Sequence, residues 1–408
     1  MLKRLSLTVF WVCVLVIPLV AQQPPIIDRE LFFGDPEITG APLSPDGKYI
    51  AFIKPWKNTR NIWVKKTEDP FEKAKLVSAD AKRPLPGYMW SRDGRYILFV
   101  QDQAGDENYN VFAVNPSDAP EPGAAAPPAR NITQASGVRV VLYAVPKSEP
   151  DIVYAGLNNR DKAWHDLYKT RISTGERTLL HENKYRITDW IFDNKDQLRL
   201  AVRSTNAGDT EILRVDPDEL KKIYSCGVFE SCDPMAFNKD NQRVYVTTNR
   251  GDDVNLIGLV LLDPQSGATQ FVESDPLGQV DFGRVLRSEL THEILATAYL
   301  DDKVRLYWKD KSFEADYQLL QKKLGDKQIG FNSHTSSLLG IRLHYVLQAY
   351  GRSHHTGGKG TVGAPIAPEL GRQNQSAADG HSGGQRSPGK QARVRSNRDR
   401  PPGPRFSS

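Results

Sequence analysis

Apolar and polar positions alternate in two similar stretches near the beginning of this chain, and each alternation follows an Asp-Gly pair. One unit consists of 43–53 followed by 61–64, and the next consists of 90–100 followed by 109–114. Asp-Gly is typical of a tight turn, because glycine adopts positive φ at no steric cost. Alternation with a period of two predicts strands with one buried face. Each unit is therefore predicted to be strand, turn, strand, loop and strand, repeating every 45–50 residues or so.

Weaker copies of the unit follow. They occur at Ser148–Tyr154, Trp190–Asp196, Phe237–Val246 and Arg287–Tyr299, with the opening of a seventh copy at Phe331–Thr335. Four-stranded units at this period predict an all-β fold, a β-propeller of about seven blades with the last one incomplete. We expect the Pro/Ala-rich segment Pro116–Ala129 to be a loop insertion between blades.

The N-terminus has the pattern of an export signal. Lys3 and Arg4 precede an apolar run over 5–20, which ends at the small residue Ala21. A short basic region, an apolar stretch and a small residue predict a signal peptide over 1–21 and a periplasmic or extracellular protein. The alternative is an uncleaved membrane anchor, although the run is shorter than the about 20 residues that span a bilayer.

The composition changes after Thr335. Residues 336–408 contain eleven Lys and Arg and three Asp and Glu, a net charge of +8, whereas the whole chain has +5. The basic character therefore comes from the tail, and we expect no nucleic-acid binding by the folded part, 22–335. The tail is Gly-, Pro- and Arg-rich and is predicted to be disordered. Without interleaved aromatic residues, its signal for nucleic acid or an anionic membrane is weak.

Two cysteines, Cys226 and Cys232, remain beyond the predicted signal. In an exported protein such a pair can close a small disulfide loop. Two free thiols in a loop are the alternative. A pair of cysteines cannot form a structural zinc site without further ligands.

An ordered set of motifs extends over about 28–335. Its members are Arg29–Glu37, the Ser-Pro-Asp-Gly turn, Gln101-Asp102, Gly105–Asn108, Leu157–Asp161, His165–Tyr168 and Gly208–Glu211. This set resembles the propeller of prolyl oligopeptidase-family serine peptidases, in their acylaminoacyl-peptidase or dipeptidyl-aminopeptidase-like branch. It implies that intact relatives have an α/β-hydrolase domain with a Ser-His-Asp triad after the propeller. It also implies that the propeller limits access to the catalytic serine, so that peptides rather than folded proteins reach it.

We predict no catalytic, cofactor-binding or metal-binding residues in this chain, and no cofactor. The segment Gly380–Gly384 matches Gly-x-Ser-x-Gly, but polar sequence precedes it where a nucleophile elbow needs a buried strand. The order Asp and then His does not follow it either, because no histidine lies after His381. His165, His181 and His292 are expected in separate blades as loop or packing residues. No Walker loop or dinucleotide fingerprint occurs.

Three acidic residues near a predicted turn are the remaining candidates for a metal site. Asp102, Asp106 and Glu107 lack the spacing of a calcium loop, so we interpret them as a solvated hairpin.

The tail favours the hypothesis of a frameshift soon after Thr335. Codons possible for 368–381, read one base later, can encode a segment similar to the one that joins propeller and hydrolase in this family. The 73 residues after Thr335 are too few for the hydrolase domain. A genuine basic extension is the alternative.

Two functions follow from these observations. The first is the non-catalytic propeller portion of a truncated or frameshifted exported serine peptidase, whose intact relatives act on peptides. The second is a standalone exported propeller that serves as a binding module. An incomplete seventh blade is expected to leave one inter-blade face exposed and to lower solubility.

Overall fold

A computed structural model describes residues 26, 29, 37–325, 328–335, 342–350 and 370–371. The predicted signal peptide and the Gly380–Gly384 segment lie outside these residues. The compact unit that begins at Glu37 consists of consecutive antiparallel sheets, together with one 3₁₀ turn, Phe71–Lys73, and a helix α1, Lys311–Leu324. No helix within the described residues is long and apolar enough to cross a membrane.

The strands of this unit are β1 Tyr49–Trp56, β2 Thr59–Lys66, β3 Lys75–Leu76, β4 Tyr88–Trp90, β5 Ile97–Gln101, β6 Asn110–Val114, β7 Ala129–Asn131, β8 Val140–Ala144, β9 Ile152–Asp161, β10 Trp164–Arg171, β11 Arg177–His181, β12 Ile187–Phe192, β13 Leu198–Ser204, β14 Thr210–Val215, β15 Leu220–Cys226, β16 Cys232–Phe237, β17 Val244–Thr248, β18 Gly258–Leu262, β19 Thr269–Glu273, β20 Phe282–Arg287, β21 Ile294–Leu300, β22 Val304–Trp308, β23 Gln328–Thr335, β24 Arg342–Tyr350 and β25 Leu370–Gly371.

These strands form a six-bladed β-propeller, followed by a small seventh sheet. The blades are β1–β3, β4–β7, β8–β11, β12–β15, β16–β19 and β20–β22, and the last sheet is β23–β25. Bridges from Thr39 to Ile53 and from Leu43 to Ile50 place 39–43 beside β1, where the other blades have their first strand. The predicted all-β propeller is confirmed, with six blades where we expected about seven.

The turn between the first and second strands explains the repeat in the sequence. In blade 1 the Ser44 hydroxyl donates to Asp46 Oδ1 at 2.6 Å and accepts from the Tyr49 backbone N–H at 3.0 Å. Ser91, Asp93 and Tyr96 repeat these bonds in blade 2 at the same two distances. Gly47 and Gly94 have φ of 72° and 70°, which glycine tolerates best.

Later blades keep this turn with other residues. In blade 5, Asn238 accepts the Arg243 backbone N–H as Ser44 accepts that of Tyr49, and Asn241 takes the positive-φ position at 61°. In blades 4 and 6 the turns also contain a non-glycine residue at positive φ, Asp196 at 60° and His292 at 58°. Asn, Asp and His are the non-glycine residues most often found in this conformation. Blade 5 therefore keeps the blade 1 turn without the Asp-Gly signature, and blades 4 and 6 have variants of it.

Apolar side chains fill the space between successive blades. The interfaces use, in order, Ile62, Val64, Trp90 and Phe99 for blades 1 and 2; Leu98, Val111, Val140 and Val153 for blades 2 and 3; Tyr143, Leu167, Trp190 and Leu213 for blades 3 and 4; Leu200, Ile212, Phe237 and Val244 for blades 4 and 5; and Leu259, Phe282 and Tyr299 for blades 5 and 6. All are buried. Burying apolar area in this way is the main stabilising contribution to such a fold.

The sheet face of blade 6 that is turned away from blade 5, here called its outer face, is covered by α1 and β23. Phe313 and Leu320 of α1 are buried against Leu295, together with Ile329 of β23. Asp310 caps the helix by accepting the Phe313 backbone N–H at 2.8 Å. The exposed inter-blade face expected from the sequence is therefore not found on blade 6. The lower solubility stays a prediction.

The Pro/Ala-rich segment Pro116–Ala129 is not a connection between blades. It joins β6 to β7 within blade 2. The interpretation as an inter-blade loop was wrong because a three-strand version of the repeat ends at β6, whereas the blade has a fourth strand beyond the insertion.

Candidate functional site: the central channel and its two ends

The first strands of neighbouring blades lie side by side and line the centre of the propeller. β12 contacts both β8 and β16, the first strands of the blades on either side of it. The strands are antiparallel, so every turn from first to second strand lies at one end of the channel, which we call the turn end. Loops that join second to third strands, or one blade to the next, lie at the opposite end.

Ion pairs connect distant blades at the turn end. Glu289, in the turn of blade 6, lies 3.1 Å from Lys147 Nζ of blade 3 and 3.5 Å from Arg92 Nη1 of blade 2, both measured to Glu289 Oε2. Lys147 also donates to the Glu289 carbonyl at 3.0 Å. Arg92 Nε donates to the Val145 carbonyl at 3.0 Å. Contacts between blades that are not neighbours must cross the channel, so these residues narrow it at this end.

A second cross-channel contact runs from blade 6 to blade 4. Arg287 Nη1 donates to Asn194 Oδ1 at 3.2 Å and to the Phe237 carbonyl of blade 5 at 2.7 Å. Burial lowers the pKa of Arg287, and Glu289 opposes this effect. Asn194 is fixed in turn, because its backbone N–H donates to Asn241 Oδ1 at 2.9 Å. We call Arg92, Lys147, Arg287 and Glu289 the hub cluster.

The acidic residues predicted to form a solvated hairpin have separate roles. Asp102 is buried and pairs with Arg83 Nε at 3.0 Å. Asp106 is exposed, and hydrogen bonds from Asn108 and from the backbone of the turn lower its pKa. Glu107 is exposed at positive φ, 57°. The prediction of solvated side chains therefore holds for Asp106 and Glu107, but it was wrong for Asp102. Arg83, which neutralises Asp102, lies in a loop that the sequence pattern does not connect to it.

The three histidines do not all lie in separate blades. His165 and His181 belong to β10 and β11 of blade 3, and His292 lies in the turn of blade 6. The prediction was wrong for the first two because blade 3 has longer strands than the repeat indicated. His181 stacks on Trp190, with 5.1 Å between ring centroids, which is a packing role.

His165 is the most strongly perturbed of these histidines. Burial and the charge of Arg139 lower its pKa to about 4. It lies close to Tyr143, as both side chains would collide with a methyl group placed on Gly156. A neutral imidazole in this position packs the blade and carries no positive charge at neutral pH.

Cys226 and Cys232 form a disulfide, with 5.9 Å between their Cα atoms. Of the two alternatives left open by the sequence, the structure contains the bridged loop. The loop lies between β15 and β16, at the end of the channel opposite to the turn end.

No three His, Cys, Asp or Glu side chains among the described residues are grouped to hold a metal ion. The Glu289 carboxylate in the hub cluster is paired with two cations, Lys147 and Arg92. The hub was missed from sequence because Arg92, Lys147 and Glu289 are separated by up to 197 positions. All three residues lie in equivalent turns of their blades, which is the sequence feature that could have indicated them. Which of these side chains meet across the channel depends on how the ring of blades closes.

The fold places this chain among β-propeller proteins, and sequence comparison adds its relatives. No family model matches the chain. Dipeptidyl aminopeptidase BIII of Pseudoxanthomonas mexicana is 28% identical over 315 residues, which cover 76% of this chain and 43% of that protein. Dipeptidyl peptidase family member 6 of Caenorhabditis elegans is 27% identical over 326 residues, covering 72% and 40%. These relatives confirm the resemblance to the propeller part of prolyl oligopeptidase-family peptidases.

The chain spans less than half the length of both curated relatives. Among solved structures, the acylaminoacyl peptidase of Pyrococcus horikoshii is similar with a TM-score of 0.39 and 16% identity, covering 76% of this chain and 50% of that one.

Proposed function

We propose that this chain is the non-catalytic propeller portion of an exported serine peptidase of the prolyl oligopeptidase family. The observation that carries the proposal is its similarity over 315 residues to a dipeptidyl aminopeptidase. In this proposal the propeller admits peptides and excludes folded proteins. The hub cluster supports the idea, since its ion pairs between distant blades narrow the channel at the turn end.

Export is supported by two independent features. The basic and apolar pattern over 1–21 is that of a signal peptide. The disulfide between Cys226 and Cys232 is a bond that persists in oxidising compartments. N-terminal sequencing of the protein from the periplasmic fraction should give a start near Gln22. A full-length N-terminus in the membrane fraction would instead indicate the anchored alternative.

The frameshift remains our explanation of the tail, based on its composition. The test is to sequence the gene from codon 325 to several hundred bases beyond its stop, in independent isolates. We expect another frame to encode a Gly-x-Ser-x-Gly elbow followed by Asp and His. A single continuous frame in every isolate, with no such elbow in the others, would contradict the frameshift.

Catalysis is tested on the protein itself. The purified chain should neither hydrolyse dipeptidyl p-nitroanilides nor react with a fluorophosphonate probe. Restoring the second frame should produce both activities, if the frameshift is real. Labelling of the unaltered chain would refute the non-catalytic assignment.

A standalone binding module is the second candidate. The covered outer face of blade 6 favours it, because α1 and β23 bury apolar side chains there. If the gene has one continuous frame, this candidate replaces the first one.

A further inference from the structure

Four loops at the end of the channel opposite to the turn end are joined to one another. They are 227–231, 249–257, 274–281 and 301–303, and we call them the acidic rim. Glu230 accepts the backbone N–H of Gly227 at 2.7 Å and that of Gly251 at 3.1 Å, which ties the first loop to the second.

The remaining connections extend the rim across blades 5 and 6. The Ile257 backbone N–H donates to Asp281 at 2.8 Å, which joins the second loop to the third. Asp275 makes two bonds to the Arg305 guanidinium at 2.8 and 2.9 Å, next to the fourth loop. The four loops therefore form one connected surface.

The rim exposes an unusual number of large apolar side chains. Phe229 is 95% exposed, although it lies inside the disulfide loop. Other exposed members lie in the same loops or at the adjoining end of β21, and they are Val228, Val254, Leu277 and Leu300. Soluble proteins seldom group such residues, and grouped ones are typical of interaction surfaces. The disulfide and the Glu230 bonds fix the loop, so little conformational entropy is lost when Phe229 is covered.

The same loops carry an excess of negative charge. The loops 249–257, 274–281 and 301–303 contain six aspartates and two basic residues. Asp275 is neutralised by Arg305, whose guanidinium also lies 3.7 Å from Asp301. The other five aspartates are exposed, and they are Asp252, Asp253, Asp281, Asp301 and Asp302. Apolar anchors surrounded by carboxylates complement a ligand that combines apolar side chains with positive charge.

We propose that the acidic rim binds an extended cationic peptide that also carries a large apolar side chain. The apolar group packs against Phe229 and Val254, while lysine or arginine side chains lie near the exposed aspartates. This inference rests on the proposed function, because it names the class of peptides that the propeller would admit first.

The test is fluorescence anisotropy with the full chain and three labelled decapeptides. One is cationic with Phe and Leu, the second replaces its basic residues by Glu, and the third keeps the charge but replaces Phe and Leu by Ser. We expect the first peptide to bind at least tenfold more tightly than either of the others at 50 mM NaCl. The preference over the Glu peptide should shrink at 500 mM NaCl, because salt screens the charges.

Variants separate the two contributions. Phe229→Ser should weaken binding of the first peptide at least tenfold, whereas Phe271→Ser, an exposed phenylalanine on β19, should not. Combining Asp252→Asn, Asp253→Asn, Asp301→Asn and Asp302→Asn should remove the charge preference. A control for charge removal elsewhere combines Glu68→Gln and Glu72→Gln on blade 1, which removes half as many charges.

The outcomes are decisive and independent of catalysis. Equal binding of all three peptides, absence of binding, or loss of binding in the control variants would overturn the proposal. A rim that binds as expected in a chain whose gene has one continuous frame would keep the binding site but remove the peptidase assignment.

Discussion

Glu289 offers the sharpest test of the channel geometry, through the substitution Glu289→Gln. The glutamine keeps the size of the side chain and can still accept a hydrogen bond. It removes the charge that attracts Lys147 and Arg92. Both cations keep a bond to a backbone carbonyl, so neither is left without a partner. The change therefore isolates the electrostatic part of the cross-channel contact.

The magnitude follows from distances and exposure. Coulomb attraction at 3.1 and 3.5 Å is about 1 kcal/mol for each pair at the dielectric constant of water. The three side chains are between a quarter and a half exposed, and pairs of this kind usually contribute about 0.2–1 kcal/mol each. We therefore expect Glu289→Gln to lower the free energy of unfolding by about 1 kcal/mol. For a domain of about 300 residues that corresponds to a fall in Tm of about 2 °C.

The assay is thermal unfolding followed by circular dichroism at 50 and 500 mM NaCl. Glu176→Gln is the matched control, because Glu176 is paired with Arg171 at 3.9 Å within one blade and is mostly exposed. The control should change Tm by less than about 1 °C. At 500 mM NaCl the effect of Glu289→Gln should be clearly smaller. An unchanged Tm at low salt, or an equal loss at both concentrations, would refute the reasoning.

Three further predictions concern single groups. Burial opposes ionisation of Glu273, but hydrogen bonds from Lys309, Thr297 and Tyr299 outweigh this effect and lower its pKa. The contribution of Glu273 to stability is therefore present above about pH 4.5 and is lost as pH falls through the folded pKa. Glu273→Gln should destabilise the protein at pH 7 and much less at about pH 3, as measured by urea unfolding. His165 should titrate near pH 4 by NMR, and because its folded pKa lies below the unfolded one, its contribution should decrease as pH falls from about 6.5 toward 4; a midpoint above 6 would contradict its burial. Cys226→Ser with Cys232→Ser should lower stability by about 2 kcal/mol through loss of a short loop closure, and equal urea midpoints of the double variant and the oxidised protein would disprove that contribution.

The propeller could be predicted because its turn is local. Ser44, Asp46 and Gly47 satisfy one another within a few residues, so the chemistry of the turn is visible in the sequence. The repeat is harder to recognise in the sequence of the later blades, because Asn241 and His292 adopt positive φ in their turns without a glycine. The expected seventh blade falls in the small last sheet, β23–β25. The place of 116–129 was missed because this insertion separates the fourth strand of blade 2, β7, from the rest of the repeat.

Most of the candidate site could not be predicted from the sequence. The sequence predicts Asp102 as one of three solvated acidic residues, but its ion pair with Arg83 depends on how blades 1 and 2 are joined. Phe229 was not singled out in the sequence, because its 95% exposure inside the disulfide loop is a property of the folded chain. Properties that depend on pairing across the ring, or on solvent exposure, require the folded structure.

The hub cluster affects the order in which the blades are expected to unfold. In an array of repeats each unit is stabilised only by its two neighbours, and unfolding can proceed one unit at a time from an end. Glu289 and Arg287 instead connect blade 6 to blades 2, 3 and 4. Amide hydrogens in these four blades are therefore expected to exchange with solvent as one cooperative group, with similar opening free energies. Blade 1 lies outside the cross-channel pairs of Glu289 and Arg287 described above and should exchange first.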